Sequence, residues 1–378
     1  MFVFDQAPDR RDSDSQKWRR YAEHVLPLWV ADMDFPAPPA VLEALRARLE
    51  HGILGYGEPL PSQAEAVARH LEEEYAWRIE PEWIVWLPGL VVGLNVVCRS
   101  LAGEVLTCTP IYPPFLSAPR LSERALRRVP LVMEGGRWQV DWAALEAAVT
   151  PETHLFLLCH PHNPVGRCWT PEELQRFADF AARHDLIVCS DEIHCGLLLD
   201  ENLTHRPFAD LAGMAGRTVT LMAPSKTFNL PGMSCAFAVV PDAELRHRML
   251  RVMAGIVPHV NILGLVACEA AFRQGKDWHR ELLAVLRRNR NRLEAAVAGL
   301  PPLSMSHVEA TYLGWIDARG LIERGIEHPV AHFEAHGLGL SNGADFGTPG
   351  WVRLNFGCTA DTLEEALRRL RHAVEAAP

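Results

Sequence analysis

The sequence predicts an α/β protein built around a mostly parallel sheet, with a smaller α+β domain attached. Two observations support this prediction: apolar runs with strand character alternate with helical patterns, and polar residues directly follow several of those runs. Size is a third, because 378 residues with 48% hydrophobic content can bury a large core and leave room for a second domain. Ligands of such sheets bind beyond the carboxyl ends of the strands, and we expect the site there.

The first part of the chain supplies the elements of the large domain. The helical spacing of Val41, Leu42, Leu45 and Leu49 predicts a first helix. Thr170-Pro171-Glu172-Glu173 combines an N-cap, a proline in the first turn and a capping-box glutamate, and so predicts the start of another helix. Apolar runs predict seven strands, at residues 83–87, 104–108, 125–131, 154–159, 186–190, 218–222 and 235–240.

The pattern changes after Gln274 and indicates a second domain. Its expected elements are a long charged helix at 276–300, strands at 311–316 and 351–356, a loop at 341–349 and a closing helix at 362–374. We therefore expect three parts: an N-terminal segment, 1–35, that packs with the small domain; a large domain, 36–275; and a small C-terminal domain, 276–378.

Composition argues against several classes of protein. A net charge of −10, with arginines scattered among glutamates, argues against nucleic-acid binding. Residues 1–11 lack the apolar run of a signal peptide, and the most apolar stretch, 259–272, is too short to span a bilayer. We therefore expect a cytoplasmic protein with no membrane partner.

Cysteine and histidine spacing gives no sign of a metal site. The nine cysteines include no Cys-x-x-Cys pair and most lie in apolar runs, which favours reduced, buried thiols over disulfides or zinc ligands. His160, His162 and His194 lack the His-Glu-x-x-His spacing of a zinc enzyme. We therefore predict no bound metal.

Three polar residues, each following an apolar run, indicate the chemistry. They are Asn163 in His-Asn-Pro-Val-Gly, Asp191 in Ser-Asp-Glu-Ile-His and Lys226 in Ala-Pro-Ser-Lys-Thr-Phe-Asn. Singly, each is typical of a turn, a loop or an exposed surface. Together they supply what a pyridoxal phosphate (PLP) enzyme needs: an amine for a Schiff base, a carboxylate for the pyridinium nitrogen and a donor for the ring oxygen.

Further motifs extend this pattern over essentially the whole chain. They are Phe4-Asp5, Leu26-Pro27-Leu28-Trp29-Val30-Ala31-Asp32-Met33-Asp34-Phe35, His51-Gly52-Ile53-Leu54-Gly55-Tyr56, Thr109-Pro110-Ile111-Tyr112 and Arg353-Leu354-Asn355. With these motifs, the sequence resembles the MalY/PatB family of cystathionine β-lyases, which are carbon–sulfur lyases. That family belongs to the aspartate-aminotransferase-like enzymes of PLP fold type I, so the resemblance implies this fold, a PLP cofactor and a homodimer with shared active sites.

The resemblance assigns a role to each residue around the cofactor ring. Lys226 would bind PLP covalently and, once released by the substrate, carry the proton of the substrate Cα. Asp191 would face the pyridine nitrogen and favour its protonated form. Asn163 would donate a hydrogen bond to the ring oxygen, and Tyr112 would stack on the ring.

The resemblance also implies a phosphate site built mainly from backbone. The backbone N–H groups of Gly89, Leu90 and Val91, at a helix start, would bind the dianion. Ser225 and Tyr56 would add hydroxyl donors, with Tyr56 reaching the cofactor of the other subunit. The wider aminotransferase pattern has a serine and an arginine at two further phosphate positions, where this chain has Ala223 and Ser234.

The substrate would be an amino acid held by its α-carboxylate. The resemblance assigns that carboxylate to Arg353, whose planar fork suits it, with Asn163, Ala31 and Trp29 also in contact with substrate. No second arginine is identified for a side-chain carboxylate, which weighs against aspartate or glutamate as substrate.

Three functions remain open from the sequence. The first is β-elimination, in which cystathionine or another cysteine S-conjugate gives a thiol, pyruvate and ammonia. The second is transamination on the same scaffold. The third is regulation through binding of a partner protein, although a binding module would not need Lys226, Asp191, Asn163 and Arg353 together.

Overall fold

A computed structural model describes residues 2–378. Its thirteen α-helices are α1 (Gln16–Arg19), α2 (Pro39–Glu50), α3 (Pro61–Tyr75), α4 (Leu90–Ser100), α5 (Pro113–Leu121), α6 (Trp142–Ala147), α7 (Pro171–Arg183), α8 (Ala243–Met253), α9 (Ile262–Gln274), α10 (Lys276–Ala298), α11 (Arg319–Glu323), α12 (Pro329–Ala335) and α13 (Ala360–Glu375) within these residues. The predicted start of α7 is confirmed, since Thr170 Oγ1 accepts from the Glu173 N–H at 3.2 Å and the Glu173 carboxylate accepts from the Thr170 N–H at 2.8 Å.

The described chain also forms fifteen strands. They are β1 (Leu26–Pro27), β2 (Ile84–Leu87), β3 (Glu104–Thr109), β4 (Leu126–Pro130), β5 (Val132–Glu134), β6 (Arg137–Gln139), β7 (Thr153–Cys159), β8 (Ile187–Asp191), β9 (Thr218–Met222), β10 (Ala236–Val239), β11 (Ser304–Met305), β12 (Leu313–Asp317), β13 (Leu338–Gly339), β14 (Ser341–Asn342) and β15 (Trp351–Asn355) within residues 2–378. The seven strands expected for the large domain are all present, displaced by a few residues at most.

These seven strands form one sheet, in the order β2-β10-β9-β8-β7-β3-β4. Only β10 runs antiparallel, against both of its neighbours, so the predicted α/β fold with a mostly parallel sheet is confirmed. The parallel strands β2, β3, β7, β8 and β9 end at one edge. A residue predicted for the site lies at the end of each strand. Asp191 is the last residue of β8, and the residues that follow β2, β3, β7 and β9 are Gly89, Tyr112, Asn163 and Lys226.

A smaller sheet, β11-β12-β15-β14, lies in the C-terminal part of the chain. The N-terminal segment joins this part, since β1 pairs with β13 in parallel. Phe4, Leu28, Met33 and Phe35 share one hydrophobic cluster with apolar residues of α10 and α13. That burial ties residues near the start of the chain to residues near its end, while the domain boundaries given above stay a prediction.

The shortest elements differ from expectation. The stretch expected as a loop at 341–349 contains β14, which pairs with β15, and a turn of 3₁₀-helix at Gly343–Phe346. The hairpin of β5 and β6 was not predicted either. Strands of two or three residues are too short to show periodicity, and their pairing partners decide whether they form.

The structure also bears on three features considered from the sequence: disulfide bonds, a metal site and a membrane-spanning helix. All nine cysteines are free thiols, and eight of them are buried. Among residues 2–378, no group of His, Cys, Asp and Glu side chains is arranged to hold a metal ion. Over the same residues, no helix is both long and apolar enough to cross a membrane.

Candidate active site

A cavity of about 440 Å³ opens at the carboxyl edge of the large sheet. The N-terminal segment and the smaller sheet form its other walls. All the predicted site residues except Tyr56 line it, and they are Trp29, Ala31, Gly89, Leu90, Val91, Tyr112, Asn163, Asp191, Ser225, Lys226 and Arg353. Residues separated by more than 300 positions are therefore brought together in one site.

Lys226 lies at the centre of this cavity. Its Nζ donates a hydrogen bond to the Ala31 carbonyl at 2.5 Å. Burial and, to a smaller extent, the Arg353 charge lower the pKa of the amine from its usual 10.5 to about 8, against the opposing effect of Asp32 and Asp191. A much larger fraction of the amine is therefore neutral near pH 7, and only the neutral amine can attack a carbonyl carbon.

Asp191 ends β8 and is nearly completely buried. Burial raises the pKa of its carboxyl to about 7, although the Ile193 N–H donates to Oδ1 at 3.1 Å. No cationic side chain among residues 2–378 lies within ion-pair distance of it. A buried carboxyl without a cation suits a ligand that brings one, such as a protonated pyridine nitrogen.

Arg353, on β15, is a buried guanidinium without a carboxylate partner among the described residues. Its Nη1 donates to Asn163 Oδ1 and its Nη2 to the Trp29 carbonyl, both at 3.0 Å, while its Nε has no partner. The ring of Phe346 lies 4.7 Å from the guanidinium. These contacts fix the fork while leaving its charge uncompensated, as a site for a ligand carboxylate requires.

The start of α4 provides an anion site at another wall of the cavity. Gly89 is the N-cap residue, and no side chain caps this helix. Free N–H groups of the first turn and the helix dipole favour an anion there, and Ser225 is close enough to line the same cavity. Ala223 and Ser234 also line it, so the two positions that carry a serine and an arginine in the wider aminotransferase pattern offer an anion neither of those side chains.

The residues present therefore fit PLP. The cavity offers an amine of lowered pKa, a buried carboxyl that lacks a cation, an uncapped helix start and a buried guanidinium that lacks an anion. Each would be costly to keep without a ligand of complementary charge. A phosphorylated pyridine aldehyde and an amino-acid carboxylate match these four features.

The structure also places residues in the cavity that the sequence did not predict. They are mainly Gln16, Arg20, His194, Asp345 and Phe346. Arg20 is a second arginine that lines the cavity beside Arg353, although the sequence identified none for a side-chain carboxylate. The local sequence could not reveal it, because Arg20 follows a helix of four residues that reaches the cavity only through tertiary packing.

Tyr56 does not lie in this cavity. Its side chain is fully exposed, in a surface depression formed with residues 259–263. The predicted contact between Tyr56 and the cofactor of another subunit stays a prediction.

Comparison with known proteins agrees with this geometry. Residues 23–370 match the family model for aminotransferases of class I and II. Cystathionine beta-lyase PatB of Bacillus subtilis is 34% identical, over 98% of this chain and 99% of its own length. The crystal structure of OvoB superposes with a TM-score of 0.97 at 46% identity, covering all of both chains. Cystalysin from Treponema denticola, whose crystal structure contains pyridoxal 5′-phosphate, gives a TM-score of 0.93 at 29% identity over 99% of each chain.

Similarity to PatB over the full length confirms the resemblance to the MalY/PatB family. The chain therefore belongs to the aminotransferase class I and II family.

Proposed function

We propose that this protein is a PLP-dependent carbon–sulfur lyase that converts cystathionine or another cysteine S-conjugate to a thiol, pyruvate and ammonia. The observation that carries the proposal is the cavity that joins Lys226, Asp191 and the unpaired guanidinium of Arg353. PatB, similar over its full length, is a cystathionine β-lyase, and cystalysin contains PLP. These relatives favour elimination over the other reactions of the fold, because fold alone does not decide the reaction.

In the proposed reaction, some residues of the cavity hold the substrate and the cofactor, and another transfers a proton. Arg353 holds the α-carboxylate, and Asn163, fixed by its bond to Arg353, donates to the ring oxygen of the cofactor. PLP supplies an electron sink for charge developing at the substrate Cα. Asp191 favours the protonated ring nitrogen, and Tyr112 packs against the ring.

Lys226 is the catalytic residue of the proposed reaction. Its amine, with a pKa of about 8, takes the Cα proton. The Cβ–S bond then breaks and its electron pair leaves with sulfur. The remaining three-carbon fragment takes up water and gives pyruvate and ammonia. The Ala31 carbonyl, which accepts from Lys226 Nζ, holds the amine at this position when it is free.

The proposed assembly is a homodimer with shared active sites. Exposed apolar side chains cluster around the loop of Tyr56, including Ile53, Leu54 and Leu60. Such a surface favours burial against a second copy of the chain. Tyr56 then contributes its hydroxyl to the phosphate of the partner's cofactor, where this chain has no arginine. The cytoplasmic location expected from the sequence also stays a prediction.

One assay separates the three functions. Purified protein loaded with PLP is incubated with cystathionine, cystine and S-alkyl cysteines, and pyruvate, ammonia and thiol are measured without an added keto acid. Equal amounts of the three products support the lyase. Turnover that depends on a keto acid supports an aminotransferase. No turnover of any amino acid supports a regulatory role.

A further inference from the structure

Two charged side chains in the cavity have no part in the reaction proposed above. The charged residues of its lining are Arg20, Asp191, Lys226, Asp345 and Arg353, and only Arg20 and Asp345 lack a role. Both are exposed, and neither has an ion-pair partner within 4 Å among residues 2–378. A cation and an anion thus remain at the mouth of the cavity for the S-linked part of a substrate.

Arg20 is held in place by aromatic packing. Its guanidinium lies over the ring of Trp29, 4.2 Å from the centroid, and near the ring of Tyr21 at 5.6 Å. Stacking of this kind leaves the edge of the guanidinium free to donate hydrogen bonds. Gln16 is the first residue of α1 and Arg20 is its C-cap. Residues four positions apart lie on the same face of a helix, and both of these line the cavity, so this face of α1 points into the site.

The platform beneath Arg20 is itself fixed. The Trp29 indole N–H donates to the Lys17 carbonyl at 3.2 Å. Lys17 is fully buried, and its Nζ forms an ion pair with Asp34 at 2.8 Å. The orientation of α1 is therefore set before a ligand binds, which lowers the entropic cost of binding through Arg20.

Two guanidiniums contact the same residue, Trp29. Arg353 donates to its backbone carbonyl at 3.0 Å, and Arg20 stacks on its ring. A substrate whose α-carboxylate lies on Arg353 can pass along Trp29 and place an S-linked group near Arg20. Asp345, on the turn after β14, repels an anion from its own side of the mouth.

We propose that Arg20 is a specificity-determining residue that binds a carboxylate on the S-linked group, so that the preferred substrates are cysteine S-conjugates with an acidic S-substituent. This inference rests on the lyase function proposed above. It assigns Arg20 a part in substrate selection and none in the chemical steps.

The experiment compares two conjugates that differ in one group. S-Carboxymethyl-cysteine carries a carboxylate where S-ethyl-cysteine carries a methyl group. Arg20→Gln removes the guanidinium from an exposed position without disturbing the core. Arg19→Gln is the matched control, because it makes the same charge change one position away, at an exposed residue that does not line the cavity.

In Arg20→Gln we expect KM for S-carboxymethyl-cysteine to rise about tenfold, the size of one charge-assisted hydrogen bond. We expect kcat, and KM for S-ethyl-cysteine, to change less than about twofold, and Arg19→Gln to resemble the wild type. Arg20→Lys should recover part of the effect, since it keeps the charge and loses the planar fork.

A second readout avoids turnover altogether. Aminoadipate is S-carboxymethyl-cysteine with a methylene group in place of sulfur, and norleucine is S-ethyl-cysteine with the same replacement. Neither has a thiolate that can leave. By calorimetry, Arg20→Gln should weaken binding of aminoadipate several-fold more than binding of norleucine.

Equal losses for acidic and neutral ligands, or no loss for either, would overturn the assignment of Arg20. If the wild type forms pyruvate from neither conjugate, the lyase function is refuted and the inference with it. The two failures differ because in the first the wild type still forms pyruvate from S-ethyl-cysteine, whereas in the second it does not.

Discussion

Replacement of Lys17 by methionine tests the buried ion pair that fixes the N-terminal segment over the active site. Lys17 Nζ lies 2.8 Å from Asp34 Oδ2 and 3.9 Å from Asp32 Oδ1, and the Lys17 and Asp34 side chains are 0% and 3% exposed. Methionine keeps most of the packing and removes the charge. The change therefore isolates the cost of leaving the Asp34 carboxylate buried with one cation fewer.

The magnitude follows from what remains around Asp34. Removal of one partner of a buried pair costs about 3–5 kcal/mol. Asp34 retains the Arg10 guanidinium at 3.1 Å and the Trp18 indole at 3.4 Å, which places the expected loss near the lower end, about 3 kcal/mol. Arg10→Met is the comparison, because Arg10 is 26% exposed and water can replace part of its bonding; we expect about 1–2 kcal/mol.

Urea unfolding of the PLP-loaded protein, followed by circular dichroism, gives both free energies of unfolding. A double variant, Lys17→Met with Asp34→Asn, should be more stable than Lys17→Met alone, since no carboxylate is left with a missing partner. A free energy of unfolding for Lys17→Met within about 1 kcal/mol of the wild type would refute the reasoning. So would a double variant that is less stable than the single one.

Four other predictions concern the active site and the assembly. Lys226→Ala should lose the visible absorption of the attached cofactor and nearly all turnover; an active variant would contradict the assignment. Asp191→Asn should still bind PLP but turn over at least about a hundredfold more slowly, because an amide cannot favour the protonated ring; wild-type rates would exclude that role. The rate at which the cofactor-free protein binds PLP should rise with pH, with a midpoint near pH 8, because the pKa of Lys226 is lowered to about 8 and only the neutral amine attacks. A midpoint near pH 10.5 would contradict this prediction. Tyr56→Ala and Lys226→Ala should each be inactive alone and regain activity after subunit exchange, as one site of the mixed dimer then has both residues; light scattering that gives the 42.2 kDa mass of one chain for active enzyme would rule out sharing.

The large sheet, and the position of Asn163, Asp191 and Lys226 at one edge of it, were predictable because each belongs to a local pattern. Apolar runs typical of strands precede Asn163, Asp191 and Lys226. The ends of parallel strands meet at one edge of a sheet. Arg353 was assigned by resemblance alone, since an arginine within a strand is most often an exposed residue.

The rest depends on tertiary contacts that no local pattern records. Arg20 enters the site because Lys17 is buried against Asp34 and Trp29 bonds back to α1. The short strand β14 exists only through its pairing with β15. No periodicity marks such features, because the residues that stabilise them lie 10 to 17 positions away, outside any local repeat.

The bond between Trp29 and Arg353 joins residues 324 positions apart, and this has a consequence for the newly synthesised chain. Lys226, Asp191 and the start of α4 all lie between residues 84 and 239, the stretch that contains the large sheet, so this side of the cavity can form while the ribosome is still adding the C-terminal part. The wall proposed to hold the substrate forms only when β15 has been synthesised and Arg353 can bond to the Trp29 carbonyl. Capture of cofactor can thus precede recognition of substrate during biosynthesis, and we expect a chain truncated before β15 to retain the lysine pocket without Arg353 to orient an amino acid.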